Sequence, residues 1–260
     1  MKSVQAERCA SSLQSGVRPG CLLRYLMQLS LLLAFVADAR ESQSDKVVSQ
    51  EQVTRHLEKA RDLIDARQPS KAIEQHLDPV IAHFERAYAE SDKVVFCARE
   101  PTQALEYMTA AAAAETAGAQ KSATAVVLGP DWADAYHLKG FALVELKDLD
   151  GAGEALHAAL RLSPREPQYL SELAYVTQGR GDSEEALKLF GYAEEAAKLI
   201  QDADRKQAEI GRACRGQGYA LIEMQKLDDA DLQYRKCLDL NPGDKISQGE
   251  LEYIDQVREN

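Results

Sequence analysis

The chain has 260 residues, a formal net charge of -11, 45% hydrophobic and 28% charged residues. That charge excludes a nucleic-acid binder working through a basic face, and the composition fits a folded protein of one large domain or two small ones. Runs of Ala, Leu, Glu and Lys dominate, and no long alternating stretch of Val, Ile and Thr appears. The sequence therefore predicts an all-α protein without a sheet.

The first 39 residues differ from the rest. Lys2, Arg8, Arg18 and Arg24 make a basic start, YLMQLSLLLAFV (25–36) is almost uninterruptedly apolar, and Ala37-Asp38-Ala39 follows as an A-x-A cleavage pattern. The apolar run is too short to span a bilayer comfortably. Residues 1–39 therefore read as a signal peptide for export to the periplasm. A membrane-anchored N-terminus, or a cytoplasmic chain with a misassigned start, are the alternatives. Loss of this segment removes four basic and two acidic groups and leaves a net charge of -13, with Cys97, Cys214 and Cys237 retained.

Residues 40–51 are polar and read as a flexible lead-in. A first helix is predicted over 52–67, with Val53, Leu57, Ala60 and Ile64 at helical spacing. Gln68-Pro69-Ser70 makes a turn, and a second helix is restarted or kinked at Asp78-Pro79. PVIAHFERAYAESDKVVFCARE (79–100) continues as helix, and MTAAAAAETAG (108–118) is a strong helix former ended by Gly118. Residues 52–130 thus read as divergent helical repeats, and 131–260 as more regular ones.

An internal period decides the fold. Pro130 and Pro164 lie 34 apart and close similar phrases, AVVLGP (125–130) and ALRLSP (159–164); CLDLNP (237–242) is a third copy. All three read as helix endings stopped by proline. From Tyr136 the spacing continues through Gly140, Leu143, Ala152, Leu156 and Pro164. The next unit has Leu170, Leu173, Ala174, Thr177, Ala186 and Phe190, and the last has Cys214, Gly218, Leu221, Ala230, Tyr234 and Pro242. In these positions the chain resembles the tetratricopeptide repeat family, whose pattern is W-x2-L-G-x2-Y, then A-x3-F, then P. Lys139 departs from it where Leu is expected, and the middle unit lacks the closing proline. The resemblance covers roughly 131–243, extends in weaker form to 99–130 and to a divergent pair at 52–90, and implies a solenoid of helix–turn–helix units.

Gly140, Ala174 and Gly218 are small where one helix must approach its partner. Glycine inside a helix costs about 1 kcal/mol against alanine, so close packing is the reason to keep it. Ten residues beyond the 34-residue period lengthen AEEAAKLIQDADRKQAEI, as helix. ISQGELEYIDQVREN, with Ile246, Leu251 and Ile254, reads as a capping helix with a charged outer side.

No catalytic site, cofactor or metal site is expected. His56, His76, His83, His137 and His157 form no HExxH or comparable ligand spacing, and there is no GxxxxGK[ST] or GxSxG motif. The resemblance points instead to the concave surface. Phe141, Tyr175 and Tyr219 each follow the small residue of the first helix, and Tyr107 lies 34 before Phe141. In tetratricopeptide repeats that place faces the groove. His137, Ser171 and Arg215 lie one turn earlier on the same face, so the wall carries an aromatic row with a basic end. Such a row suits a peptide or helix of a protein partner; the alternative is that the rings are ordinary core. Some family members clamp a carboxylate with Lys and Asn here. This chain has His137, Phe141, Ser171 and Tyr175 in the matching places. The predicted activity is a non-catalytic scaffold or adaptor in the cell envelope. A membrane-associated complex, or homo-oligomers formed through an uncapped end, are further expectations.

Cys214 and Cys237 lie almost symmetrically about Gln225-Lys226. At 1.5 Å rise per residue they return to about the same level of two antiparallel helices. A disulfide clipping this hairpin is one outcome after export. The other, favoured by the residues alone, is two buried thiols that never pair.

Overall fold

Ser49 opens the first helix with a reciprocal cap: its hydroxyl accepts from the Gln52 N–H at 3.3 Å, and the Gln52 side chain accepts from the Ser49 N–H at 2.8 Å. The structure, a computed structural model, describes residues 49–116 and 125–259. The signal segment at 1–39 and the lead-in as far as 48 lie outside the described residues. The elements below belong to the unit that begins at Ser49.

Helix α1 (Gln50–Asp65) buries Val53, Leu57, Ala60 and Ile64, the residues whose spacing marked it. Helix α2 (Pro69–Ala72) runs through a π-helical turn (Ile73–Leu77) into α3 (Asp78–Tyr88). Pro79 has no N–H to give to the preceding turn, and the Asp78 N–H bonds the Ile73 carbonyl. The kink expected at Asp78-Pro79 takes the form of this widened turn.

The segment after α3 departs from the sequence reading. Val94–Cys97 is strand β1, Pro101–Thr116 is helix α4, and Ala125–Leu128 is strand β2. The strands pair in parallel, Val94 opposite Ala125 and Cys97 opposite Leu128. The helix expected to run through 79–100 ends at Tyr88, and AVVLGP is a strand rather than a helix ending. The cause is local. Val94, Val95, Val126 and Val127 are stiff β-branched residues that pack well on a pleated pair. Apolar runs this short carry no period that separates strand from helix.

Three helical hairpins follow: α5 (Asp131–Glu145) with α6 (Leu149–Leu162), α7 (Pro167–Gly179) with α8 (Ser183–Ala197), and α9 (Ala203–Glu223) with α10 (Leu227–Leu240). Helix α11 (Lys245–Glu259) closes the series. The turns of these hairpins and of the α1–α3 pair use one device. Arg67, Lys147, Gly181 and Gln225 have φ of 58°, 63°, 91° and 61°. After each, the next N–H reaches back five residues, from Gln68 to Leu63, Asp148 to Leu143, Asp182 to Thr177 and Lys226 to Leu221. This is the Schellman closure of a helix C-terminus. The N-terminal pair therefore shares the repeat design and packs on α5. A helical repeat solenoid is the architecture, as expected, but it is not free of sheet: the strand–helix–strand unit is inserted between its first and second hairpins.

The insertion is tied down by apolar and polar contacts. Cys97 of β1 packs with Trp132, Ala159, Leu162 and Tyr169, and Phe84 and Tyr88 stack on Trp132 with ring centroids 5.4 and 5.8 Å away. The Ser163 hydroxyl donates to the Cys97 carbonyl at 2.6 Å. Arg99 donates to Asp134 at 2.6 Å, and the Tyr169 hydroxyl donates to the same carboxylate at 2.6 Å. Arg205 bridges Glu100 and the buried Glu166. Burial pushes the Cys97 thiol up to about 12, so this third cysteine is a core group.

Close approach explains the small residues. A Cβ at Gly140 would fall 2.8 Å from Leu156 Cγ, and one at Gly218 would fall 2.6 Å from Tyr234 Cζ. The ten additional residues do not extend one helix. They are shared between a break at 198–202 and the 21 residues of α9. In α11, Ile254 is buried and Leu251 partly so, whereas Ile246 is exposed. Cys214 and Cys237 are joined by a disulfide, with Cα atoms 5.8 Å apart, where the residues alone favoured separate thiols. Their level placement across the hairpin brings the sulfurs together.

Candidate partner-binding groove

Helices α1, α5, α7 and α9 line one side of the solenoid. Ile64 of α1, His137 and Phe141 of α5, Glu172 of α7 and Arg212 of α9 border an open cavity of about 290 Å³. Arg212 also borders a second open cavity, of about 750 Å³, with Tyr175, Asp204, Arg215, Asp244 and Ile246. Arg212 is common to both, and the two cavities make up the candidate groove.

Phe141 borders the first cavity and Tyr175 the second, whereas Tyr219 borders neither. Phe141, Tyr175 and Tyr219 are 40%, 39% and 43% exposed. Tyr175 packs edge-on against Phe190 at 4.9 Å, so its inner side is core and its outer side faces the groove. Tyr107 is elsewhere: it is 3% exposed in the insertion, packs on Phe96 at 5.3 Å, and its hydroxyl accepts from the Arg165 N–H. Its distance of 34 from Phe141 had placed it in a repeat, but α4 is a crossover helix and not the first helix of one.

Ser171 is fully buried, and His137, although it edges the first cavity, is 7% exposed. The His137 ring stacks on Tyr169 at 4.9 Å, and burial lowers its pKa to about 4, which keeps it neutral. Its Nε2 and the Ser171 hydroxyl have no hydrogen-bond partner. Arg215 reaches the wall but is held by Asp244 at 3.1 Å. Arg212, which the repeat spacing did not single out, is held by Glu172 at 3.1 Å and Glu209 at 3.3 Å. Burial raises the pKa of both carboxyls, and Arg212 opposes the rise. The basic end expected from His137 and Arg215 is thus neutralised from within. One ring was missed: Tyr253, 48% exposed on α11. It lies 34 beyond Tyr219, so one more step of the same spacing finds it.

Away from the groove, His56 and His76 face each other with Nδ1 atoms 3.0 Å apart. Burial lowers the pKa of each. Among the described residues, no three of His, Cys, Asp and Glu come together as a metal site. Among the same residues, no helix is long and apolar enough to cross a membrane.

A family model, Tetratricopeptide repeat, matches residues 133–166 and 212–244. The chain carries tetratricopeptide repeats. The matched stretches are the α5–α6 and α9–α10 hairpins with the turns that follow them. Between them α7–α8 has the same closing turn and the same ring position. Among solved structures the chain is similar to the first TPR of Spaghetti (RPAP3) bound to HSP90 peptide SRMEEVD. That likeness is 23% identical, covers 49% of this chain and 94% of that one, and has a TM-score of 0.36. It is also similar to the N-terminal domain of stress-induced protein-1 from C. elegans, at 18% identity, 48% and 96% coverage and a TM-score of 0.43. A third similarity is to the APC/C hetero-tetramer Cut9-Hcn1, at 14%, 80% and 40% coverage and 0.43. No curated protein matches the chain.

Proposed function

We propose that this tetratricopeptide-repeat protein is a non-catalytic adaptor that holds a segment of another protein in the groove, and that it does so after export to the cell envelope. The observation that carries the reading is the row of Phe141, Tyr175 and Tyr219. Each ring comes from the first helix of a successive hairpin, and each stays about two-fifths exposed. Large rings repeated along a concave wall offer contact area at little entropic cost, the usual character of binding anchors. Two features support export. The leader at 1–39 has the three parts of a signal peptide. Disulfides such as Cys214–Cys237 persist in oxidising compartments.

Cross-linked capture from native cells tests the groove. The wild type is expected to hold a specific partner that a folded Phe141→Ala/Tyr175→Ala/Tyr219→Ala variant loses. Unchanged capture would show that the rings are packing only. For export, intact-mass measurement of the native protein should give a chain beginning near Arg40; an intact Met1 would refute cleavage.

A further inference from the structure

The charges on the groove wall are unevenly satisfied. Arg212 is held by Glu172 and Glu209, and Arg215 by Asp244. Those arginines have little charge left for a ligand. Asp65 borders the first cavity and Asp204 the second, and neither makes an ion pair among the described residues; Glu223 and Glu250, near Tyr219, make none either. Arg61 borders the first cavity beside Asp65 and also makes no ion pair among the described residues. Glu223 follows Tyr219 by one turn of α9, Glu250 precedes Tyr253 by one turn of α11, and burial together with the two carboxylates raises the Tyr219 pKa. Tyr219 and Tyr253 are both nearly half exposed. The C-terminal end of the solenoid therefore presents two open aromatic rings with two carboxylates that lack a cation. The whole chain carries -11, so the surroundings supply no compensating field.

A neutral or acidic segment laid along this wall would cover those carboxylates and leave them unpaired, a costly arrangement. A lysine or arginine side chain meets both needs at once, pairing with the carboxylates and lying over the ring faces. We infer that the groove's partner is a basic amphipathic segment, whose Lys or Arg side chains reach Tyr219, Tyr253, Glu223 and Glu250 while its apolar side chains meet Phe141 and Tyr175. This rests on the groove reading above and adds the chemistry of the occupant.

Fluorescence anisotropy on the mature chain tests it with two labelled 16-residue peptides. One carries Leu and Arg at helical spacing, and the other is the same peptide with Glu for Arg. The basic peptide should bind at least about tenfold tighter, and binding should weaken about fivefold between 50 and 300 mM salt. Glu223→Gln/Glu250→Gln should weaken it about tenfold, with the circular dichroism spectrum unchanged. Equal or tighter binding of the acidic peptide, no binding of the basic one, or indifference to the Gln pair would overturn the inference. The groove reading is separated by the aromatic triple variant. If the acidic peptide binds and that variant abolishes its binding, the groove stands and the charge assignment falls. If neither peptide responds to the triple variant, the groove reading itself falls.

Discussion

Alanine at Gly218 sets two effects against each other. Inside a helix alanine is worth about 1 kcal/mol over glycine. Its Cβ, however, would fall 2.6 to 2.9 Å from three atoms of the Tyr234 ring, well inside the optimal carbon–carbon separation. The ring has nowhere to go. It is buried among Cys214, Ile222, Ala230 and Ile254, and the Cys214–Cys237 disulfide ties its helix to α9. Overpacking of a rigid core costs about 1–3 kcal/mol. With both helices tied, the upper part of that range applies, and the net loss is about 1–2 kcal/mol. Gly191 in α8 is the control, because nothing lies within 4 Å of a Cβ there. Only propensity acts, and Gly191→Ala should stabilise by up to about 1 kcal/mol. Urea unfolding of both variants, followed by far-UV circular dichroism, gives the two differences. A Gly218→Ala protein as stable as the wild type would refute the close-approach argument. So would a Tyr234→Leu background in which Gly218→Ala costs just as much.

The left-handed turn positions make a second pair: Lys147→Gly should stabilise by about 0.5–1 kcal/mol and Gly181→Ala should destabilise by about as much, read by the same unfolding curves. Reducing Cys214–Cys237, which are 23 residues apart, should cost about 3 kcal/mol through the freed loop entropy; a Cys214→Ser/Cys237→Ser protein that unfolds at the wild-type urea midpoint would contradict this. His137 has its pKa lowered by burial to about 4, so between pH 6.5 and 4 the unfolded chain binds the extra proton. Stability should therefore fall as pH drops through that window, by up to about 3 kcal/mol. The part due to His137 is the difference from His137→Gln, and parallel pH curves for the two proteins would count against it.

The regular hairpins from Asp131 onward were legible in the sequence because their signals are local and repeated. Gly140 and Gly218 mark close helix contacts, proline stops two of the second helices, and Phe141, Tyr175 and Tyr219 recur at a fixed place. The first hairpin was legible as helices and as a divergent repeat, but without the motif residues of the later ones. Its kinship lies in the left-handed Arg67 turn, a backbone geometry that an arginine does not advertise. The insertion was misread for another reason. A parallel strand pair is specified by two short segments about thirty residues apart, and neither segment alone carries a period that excludes helix. The groove's charge was misread as well. Its arginines are recognisable as residue types, but whether they are available depends on Glu172, Glu209 and Asp244, which reach them from other elements. Sequence by itself determined the helical repeat and the aromatic row, because both follow from spacing along one chain. Only the tertiary structure decided which rings stay open and which charges are already paired, because burial and ion pairing are properties of neighbours that the chain brings together from far apart.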